Sequence, residues 1–197
     1  MRQVLLIRFG EVHLKGQNRP FFLKKLTENV RRAVAPLGAR VWLADSRIYA
    51  DGAEDLSALA ERVCKVFGVH SVSPAFALEK DMDEIAAQLI EMTRSLRGGF
   101  RVSARRSDKR FPVDSMRMQR ELGGLILENN PDLFVDLQRP EHEICVEIRE
   151  QAYLYVQKIP AVGGMPMHTG GKATLLLSGG IDSPVAGFSL MKRGVHV

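Results

Sequence analysis

The sequence has very few cysteines and no long apolar run. Only Cys64 and Cys145 occur among its 197 residues, so one chain can build neither a disulfide framework nor an all-cysteine metal site. No apolar stretch approaches the length of a membrane span, and the run over residues 4–7 is too short for a secretory signal. We therefore expect a cytoplasmic globular protein with no membrane partner.

Neither the cysteines nor the histidines lie in a catalytic or metal-binding pattern. Cys64 lies beside a helical apolar stripe and Cys145 lies within a strand-like run, so we interpret both as structural residues. The histidines show no ligand spacing with one another or with the cysteines. They are His13, His70, His142, His168 and His196.

Positive charge is modest in total but concentrated in one window, residues 97–120, which we call the basic segment. The chain carries a net charge of +5, and eight Arg or Lys against two Asp give this segment +6, which leaves −1 for the remainder. A local basic patch is typical of a protein that binds a polyanion. A run of charge is equally typical of a solvated face, but Phe111 within the segment favours RNA binding.

We predict that the cations of the basic segment contact RNA, because guanidinium groups grip phosphates and stack on unpaired bases. The residues predicted to bind are Arg101, Arg105, Arg106, Lys109, Arg110, Arg117 and Arg120. A weaker cluster in the first helix includes Lys24 and Arg32, and their spacing from Glu28 predicts that this face pairs with itself.

The order of strand-like and helical patterns predicts two modules. The first reads β-α-β-β-α-β, a ferredoxin-like order, with helices over residues 20–37 and 55–67. The second begins with a helix after Asp81 and continues with a strand over residues 100–105, whose alternation sends arginines to solvent. A loop, a helix capped by Asp114 or Ser115, and strands at residues 133–135, 144–149 and 152–157 complete it.

Glycines and prolines over residues 158–172 predict a linker. Beyond it we expect a strand over residues 173–177, buried on both faces, and a helix over residues 184–193 that ends at Gly194. Residues 195–197 would start another strand. Because one strand and one helix cannot bury their own faces, we expect that a further domain has begun and that the leucines of this strand need an external surface.

The loop over residues 178–183 joins that strand to that helix and has the features of an anion site. Its glycines let a ligand approach the backbone, Ser183 is a candidate N-cap, and Pro184 is expected at the first helical position. Exposed amides at a helix N-terminus favour phosphate. The residues of this loop, which we call the anion loop, are Ser178, Gly179, Gly180, Ile181, Asp182 and Ser183.

The anion loop lacks the lysine of a Walker A loop and resembles the PP-loop of ATP pyrophosphatases. Together with residues 100–123, 139–150 and 163–194, it is similar to the THUMP domain, linker and PP-loop of the tRNA 4-thiouridine synthetase family, also called thiamine-biosynthesis sulfurtransferases. His168 departs from the family pattern at a linker position where we expect glycine.

The resemblance implies a ferredoxin-like domain over residues 1–79, a THUMP α/β domain over residues 80–157 and a linker over residues 158–171. Residues 172–197 would open a doubly wound α/β PP-loop domain. It implies ATP-dependent adenylation of a tRNA uridine, with the anion loop holding the pyrophosphate and Mg²⁺ near Asp182. Sulfur from a cysteine desulfurase then gives 4-thiouridine, and sulfur supply for the thiamine thiazole is a second family role. A homodimer is a further expectation.

The family's sulfur-transfer cysteines lie beyond the PP-loop, so we expect no catalytic residue in these 197 residues and no activity from them alone. Two alternatives stay open at this point. One is a THUMP-type adaptor that delivers tRNA to a separate enzyme. The other is a PP-loop ligase for a small molecule, which leaves the basic segment unexplained. A THUMP-bearing methyltransferase would show a glycine-rich cofactor loop in place of the anion loop.

Overall fold

The structure, a computed structural model, describes residues 2–197 and contains nine strands and five α-helices over that range. The strands are β1 (Arg2–Phe9), β2 (Arg40–Ala44), β3 (Arg47–Asp51), β4 (Val69–Leu78), β5 (Gly98–Arg106), β6 (Leu133–Val135), β7 (His142–Ile148), β8 (Ala152–Tyr155) and β9 (Ile159–Pro160). The helices are α1 (Arg19–Val34), α2 (Leu56–Cys64), α3 (Met82–Thr93), α4 (Ser115–Asn129) and α5 (Asp182–Lys192).

The chain divides into two compact units. The terminal unit comprises residues 4–74 and 158–197, and the middle unit comprises residues 75–157 with residues 2 and 3 of the N-terminus. Strand β4 therefore supplies its first residues to one unit and its last residues to the other.

The terminal unit has the predicted ferredoxin-like order. Its strands lie in the order β2-β3-β1-β4, with β1 antiparallel to β3 and Leu6 opposite Tyr49. Alternate residues of β1 pack with α1 and α2, so Leu5 and Ile7 share a fully buried core with Leu26 of α1 and Leu59 of α2. The polar loop expected after β1 is instead a short 3₁₀ segment, Glu11–Asn18.

The middle unit is a mixed sheet with two helices on one face. The last residues of β4 precede β8, β7, β5 and β6 in the sheet, and β5 is parallel to both β7 and β6. The alternation predicted for β5 is confirmed, since Phe100 and Ala104 are buried in the core while Arg105 is exposed. Leu89 of α3 and Leu122 of α4 cover that buried face.

Aspartates at the N-caps fix where three helices begin. Asp55, Asp81 and Asp114 each have extended backbone, and each accepts hydrogen bonds from amides of the first helical turn. Of the two residues predicted to cap α4, the cap is therefore Asp114, whose carboxylate accepts from the amide of Arg117 at 2.9 Å.

The segment with linker composition, residues 158–172, is an ordered part of the terminal unit, and we call it the strap. Its start forms β9, which pairs with β4 and was not predicted. Further along, the amide of Gly68 donates to the carbonyl of Gly163 at 2.8 Å. The amide of Met165 donates to the carbonyl of Lys192 at 2.9 Å, and the amide of Thr169 donates to the carbonyl of Gly194 at 3.0 Å. The strap therefore holds the C-terminal end of α5.

The strand predicted over residues 173–177 is wrong. Only an isolated parallel bridge forms, between Lys172 and His196, because no strand of the described chain lies beside the three leucines. Leu175 packs against Gly187 of α5, but Leu176 and Leu177 are 87% and 75% exposed. Two of the three leucines therefore have no packing partner within residues 2–197, and the expectation that they need an external surface stays a prediction.

The predicted start of α5 also needs correction. The helix begins at Asp182 with Ile181 at the N-cap position, so Pro184 is the third helical residue and Ser183 does not cap the helix. Proline is tolerated there because its missing amide hydrogen has no partner within the helix. The predicted end at Gly194 is confirmed by its φ of +86°.

No helix among residues 2–197 combines the length and the apolar character that crossing a membrane requires.

Two glycine substitutions should change stability in opposite directions. Gly194 has φ +86°, and an added Cβ would lie 2.5 Å from Thr169 Oγ1, so Gly194→Ala should destabilise the protein by more than about 1 kcal/mol. Gly124 lies inside α4 with no atom within 4 Å of an added Cβ, so Gly124→Ala should stabilise it by roughly 0.5–1 kcal/mol. Urea unfolding of both variants measures the two effects, and equal effects would contradict this description of the strap.

Candidate functional site

The parallel register of β5 and β7 decides which β5 arginines are free. Arg101 lies opposite Glu143, and its Nη2 donates to Glu143 Oε1 at 2.9 Å. Arg105 lies opposite Glu147, but that carboxylate is buried and already accepts from Tyr155 Oη at 2.6 Å and from Arg149 Nε at 2.9 Å. Arg105 is thus exposed and forms no ion pair within residues 2–197.

Arg106 has a structural contact. Its side chain is half-buried, and Nη1 donates to the carbonyl of Phe111 at 2.8 Å, which closes the loop after β5. Phe111 and Val113 anchor this loop in the core of the middle unit, where they are 5% and 9% exposed. The interpretation of Phe111 as an aromatic available to RNA is therefore wrong, because its ring is used in packing.

Asp108 stabilises the same loop by forming ion pairs with two cations. Its carboxylate accepts from Lys80 Nζ at 2.7 Å and from Arg110 Nε and Nη2 at 3.0 and 3.2 Å. The Arg110 guanidinium, followed by the Lys80 ammonium, holds the pKa of this carboxyl well below its usual range. Lys109, which lies between Asp108 and Arg110 in sequence, is exposed and has no ion-pair partner in the described chain.

Helix α4 carries one arginine that forms an ion pair within residues 2–197 and one that does not. Arg117 Nε donates to Glu121 Oε1 at 2.6 Å, one turn further along the helix. Arg120 is exposed and forms no ion pair with any described residue.

The predicted cations therefore fall into two sets. Arg101, Arg106, Arg110 and Arg117 hold acceptors of this chain, whereas Arg105, Lys109 and Arg120 do not, and we call these three the free cations. A free cation gives up only water when it binds a phosphate, whereas an engaged one must also give up its acceptor. The i+4 spacing of Glu121 from Arg117 indicates their ion pair in the sequence. No local pattern indicates that Glu143 pairs with Arg101.

The pairing expected on α1 also differs. Glu28 accepts from Lys25 Nζ at 3.2 Å, so it does not neutralise Lys24 or Arg32. Both of these cations stay exposed and form no ion pair across residues 2–197.

The anion loop is exposed, and its two serines bond to each other. Ser183 Oγ lies 2.8 Å from Ser178 Oγ and accepts from the amide of Ser178 at 3.2 Å. Gly179 and Gly180 have no positive φ, and an added Cβ on Gly179 would meet no atom within 4 Å. Neither backbone conformation nor packing explains the first glycine, and the open space above it is room for a ligand.

Metal ligands are sparse. Within residues 2–197 no group of three or more His, Cys, Asp or Glu side chains is placed to hold a metal ion. Asp182 is exposed at the first position of α5, so one carboxylate is available beside the anion loop.

The two cysteines have the structural roles expected of them. Cys145 is 3% exposed within β7, and Cys64 is half-buried at the end of α2, where burial raises the pKa of its thiol. A raised pKa disfavours the thiolate that nucleophilic or sulfur-transfer chemistry needs.

Comparison with protein families matches three segments of the chain. Residues 4–73 match the ThiI ferredoxin-like domain, residues 79–157 match the THUMP domain, and residues 168–197 match the family described as thiamine biosynthesis protein (ThiI). These matches confirm the fold class predicted from the sequence, and the three free cations lie in the segment that matches the THUMP domain.

Curated relatives and a solved structure agree with these matches. The chain is 45% identical, over its whole length, to a probable tRNA sulfurtransferase of Acetivibrio thermocellus and 47% identical to one of Alkaliphilus oremlandii. It covers 53% and 52% of these proteins, so it spans about half the length of the curated relatives it matches. It is also similar to a crystal structure of a 4-thiouridine synthetase–RNA complex with bound ATP, with TM-score 0.87, 34% identity, and 99% and 51% of the two chains covered.

We expect Asp108→Asn to destabilise the middle unit in a pH-dependent way. The pKa of Asp108 is lower in the folded chain than its ordinary value of 3.8, so its stabilising effect is present above that value and is lost as the pH falls through the folded pKa. The variant should therefore be less stable than the parent at pH 7, and the difference should shrink below about pH 4. Urea unfolding across this range measures it, and a difference that grows on acidification would contradict the ion-pair assignment.

Proposed function

We propose that this chain, which belongs to the ThiI family, is the tRNA-binding part of a tRNA uridine 4-sulfurtransferase together with its pyrophosphate loop. The observation that carries the proposal is the combination of three free cations in a THUMP domain with an open glycine loop that precedes α5. A small-molecule ligase has no use for the first feature, and an RNA-binding adaptor has no use for the second.

The free cations support RNA binding by charge and by availability. Arg105 projects from the face of β5 opposite the core, Lys109 follows in the loop, and Arg120 lies on α4. Side chains with no acceptor of their own can contact phosphates without breaking an ion pair, so they should contribute most of the electrostatic affinity. Arg101 and Arg117 then shape the surface around them through their pairs with Glu143 and Glu121.

The anion loop supports ATP as the second substrate. ATP, when bound, would supply an adenylyl group to the uridine oxygen, and pyrophosphate would be the leaving group of that transfer. The open approach at Gly179 and the amides at the start of α5 would hold the pyrophosphate end. Ser178 and Ser183, which now bond to each other, would turn their hydroxyls to phosphate oxygens. Asp182 is the carboxylate available to Mg²⁺ on this side of the loop.

Sulfur has to reach the activated uridine from outside these residues. Burial of Cys145 and the raised pKa of Cys64 argue against either as a sulfur carrier. We therefore propose a cysteine desulfurase persulfide as the donor, with delivery through residues that this chain does not include. Sulfur supply for the thiamine thiazole, a cytoplasmic location and a homodimer are further elements of the proposal.

Salt-dependent tRNA binding tests the role of the free cations. If all three contact phosphates, log K should fall against log salt with a slope of roughly −2 to −3. Arg105→Ala, Lys109→Ala and Arg120→Ala should each weaken binding and reduce the slope by about 0.7–0.9. Arg94→Ala removes an exposed arginine that pairs with Glu91 at the C-cap of α3, in the same unit, and is the control for loss of an engaged cation. A slope unchanged in all three variants would move the RNA site elsewhere.

Substitution in the anion loop tests the ATP site. Gly179→Val places its Cβ where no protein atom lies within 4 Å, at a position on an exposed loop, so the fold should be retained. Affinity of the complete protein for ATP should fall by at least roughly tenfold, or about 1.4 kcal/mol, because the branched side chain occupies the approach to the loop amides. Gly124→Ala is the control. Unchanged ATP affinity by calorimetry in the Gly179 variant would exclude this loop as the pyrophosphate site.

A further inference from the structure

A cavity of about 280 Å³ lies in the terminal unit beside the strap. Arg32 of α1, Lys65 and Phe67 after α2, and Met167 and His168 of the strap are among its lining residues. Asn29 of α1 also lines it and donates from Nδ2 to the carbonyl of Met167 at 3.2 Å, which ties the strap to the helix. Two elements far apart in sequence therefore line one open cavity.

The charges around this cavity are predominantly basic and incompletely neutralised. Lys65 pairs with Glu61 at 2.6 Å and Lys25 pairs with Glu28 at 3.2 Å. Arg32 and Lys172 are exposed, and neither forms an ion pair anywhere in residues 2–197. The ring of His168 contacts that of His196, with 4.5 Å between centroids, and Lys172 is the bridge partner of His196. Arg32 and His168 thus line the cavity, while His196 and Lys172 lie beside His168 outside the lining, and neither Arg32 nor Lys172 is paired with a carboxylate of residues 2–197.

The behaviour of His168 agrees with a positive potential. Burial lowers the pKa of this imidazole, and the neighbouring His196, Arg32, Lys25 and Lys172 lower it further. The positive neighbours oppose protonation of His168, so an anion bound beside the ring would favour it. The local potential therefore suits a ligand with two negative charges.

The backbone at His168 gives a second, independent reason to look for a ligand. Its φ is +68°, a left-handed conformation that glycine adopts freely and that is uncommon for a residue with a Cβ. Backbone strain of this kind clusters at ligand-binding and switch sites. Gly163 and Gly164 of the strap have positive φ as well, so His168 departs from the residue type that the strap uses for this conformation.

We propose that a phosphate group binds at the His168 side of this cavity, through Arg32 and His168 of its lining and through Lys172, which lies outside the lining and pairs by its backbone with His196 beside His168. Two guanidinium or ammonium charges balance a dianion, and the imidazole adds a donor when it is protonated. The phosphate can belong to an RNA backbone or be a free anion, and the recognition chemistry is the same. The site is separate from the free cations and from the anion loop, and it does not depend on the proposed function.

Anion binding here would also stabilise the docking of α5. The ligand would contact α1 and the strap together, and the strap holds the end of α5 through Lys192 and Gly194. Bound phosphate would therefore resist separation of the strap from α1, in addition to the hydrogen bond from Asn29 to Met167.

Titration with sulfate, followed by NMR of the histidine rings at low ionic strength, tests the site. Sulfate is used because it does not change protonation in the range where histidine titrates. Saturating sulfate should raise the pKa of His168, and its binding should tighten as the pH falls through the histidine range. Arg32→Ala and Lys172→Ala should each raise the Kd for sulfate by roughly threefold to tenfold. Lys24→Ala, which removes the same charge from another face of α1, should leave the Kd unchanged.

His168→Gly separates binding from folding. Glycine relieves the left-handed strain, so the variant should keep its Tm while its sulfate affinity falls. A short single-stranded RNA, titrated in parallel, distinguishes the sources. Loss of both ligands in Arg32→Ala indicates a backbone phosphate, and loss of sulfate alone indicates a free anion. An unchanged pKa of His168 in saturating sulfate, or equal sulfate affinity in the Arg32 and Lys24 variants, would overturn the proposal.

Discussion

The parallel pairing of β5 with β7 is the constraint on which the candidate RNA surface depends. It fixes seven consecutive register pairs, from Phe100 with His142 to Arg106 with Ile148. That register places Glu143 beside Arg101 and leaves Arg105 opposite a carboxylate already taken by Tyr155 and Arg149. A slip of one residue would turn the arginines toward the core and Phe100 toward solvent. The charge pattern of the surface is therefore a consequence of backbone hydrogen bonding as well as of composition.

Backbone bonding has the same importance in the terminal unit. Amides of the strap donate hydrogen bonds to carbonyls of β4, of the end of α5 and of Gly194. These bonds position the helix that follows the anion loop. Phe67 adds an edge-to-face contact with Phe188 of α5, at 5.2 Å between centroids. An anion loop can hold phosphate only if its helix is held in place, so the strap contributes to the site without touching it.

Most of the fold could be predicted from the sequence because it rests on local signals. Apolar periodicity located α1 to α4, and aspartate caps marked where α2, α3 and α4 begin. The strand predicted at residues 173–177 failed because an apolar run becomes a strand only beside a partner strand, which is a non-local condition. Likewise Phe111 looked available in the sequence and is buried, and Glu143 neutralises Arg101 only through strand register. The residue types of a site are readable from sequence, but their pairing is not.

We propose that this chain is part of an enzyme that thiolates tRNA, with the free cations as RNA contacts and the anion loop as the pyrophosphate site. The most direct test is to measure 4-thiouridine by mass spectrometry in tRNA from bacteria that lack their own tRNA 4-sulfurtransferase and receive the complete gene. The account predicts that 4-thiouridine returns with the parent sequence and stays strongly reduced when Arg105, Lys109 and Arg120 are all alanine. Absence of 4-thiouridine with the stably expressed parent protein, or full recovery with the triple variant, would contradict it.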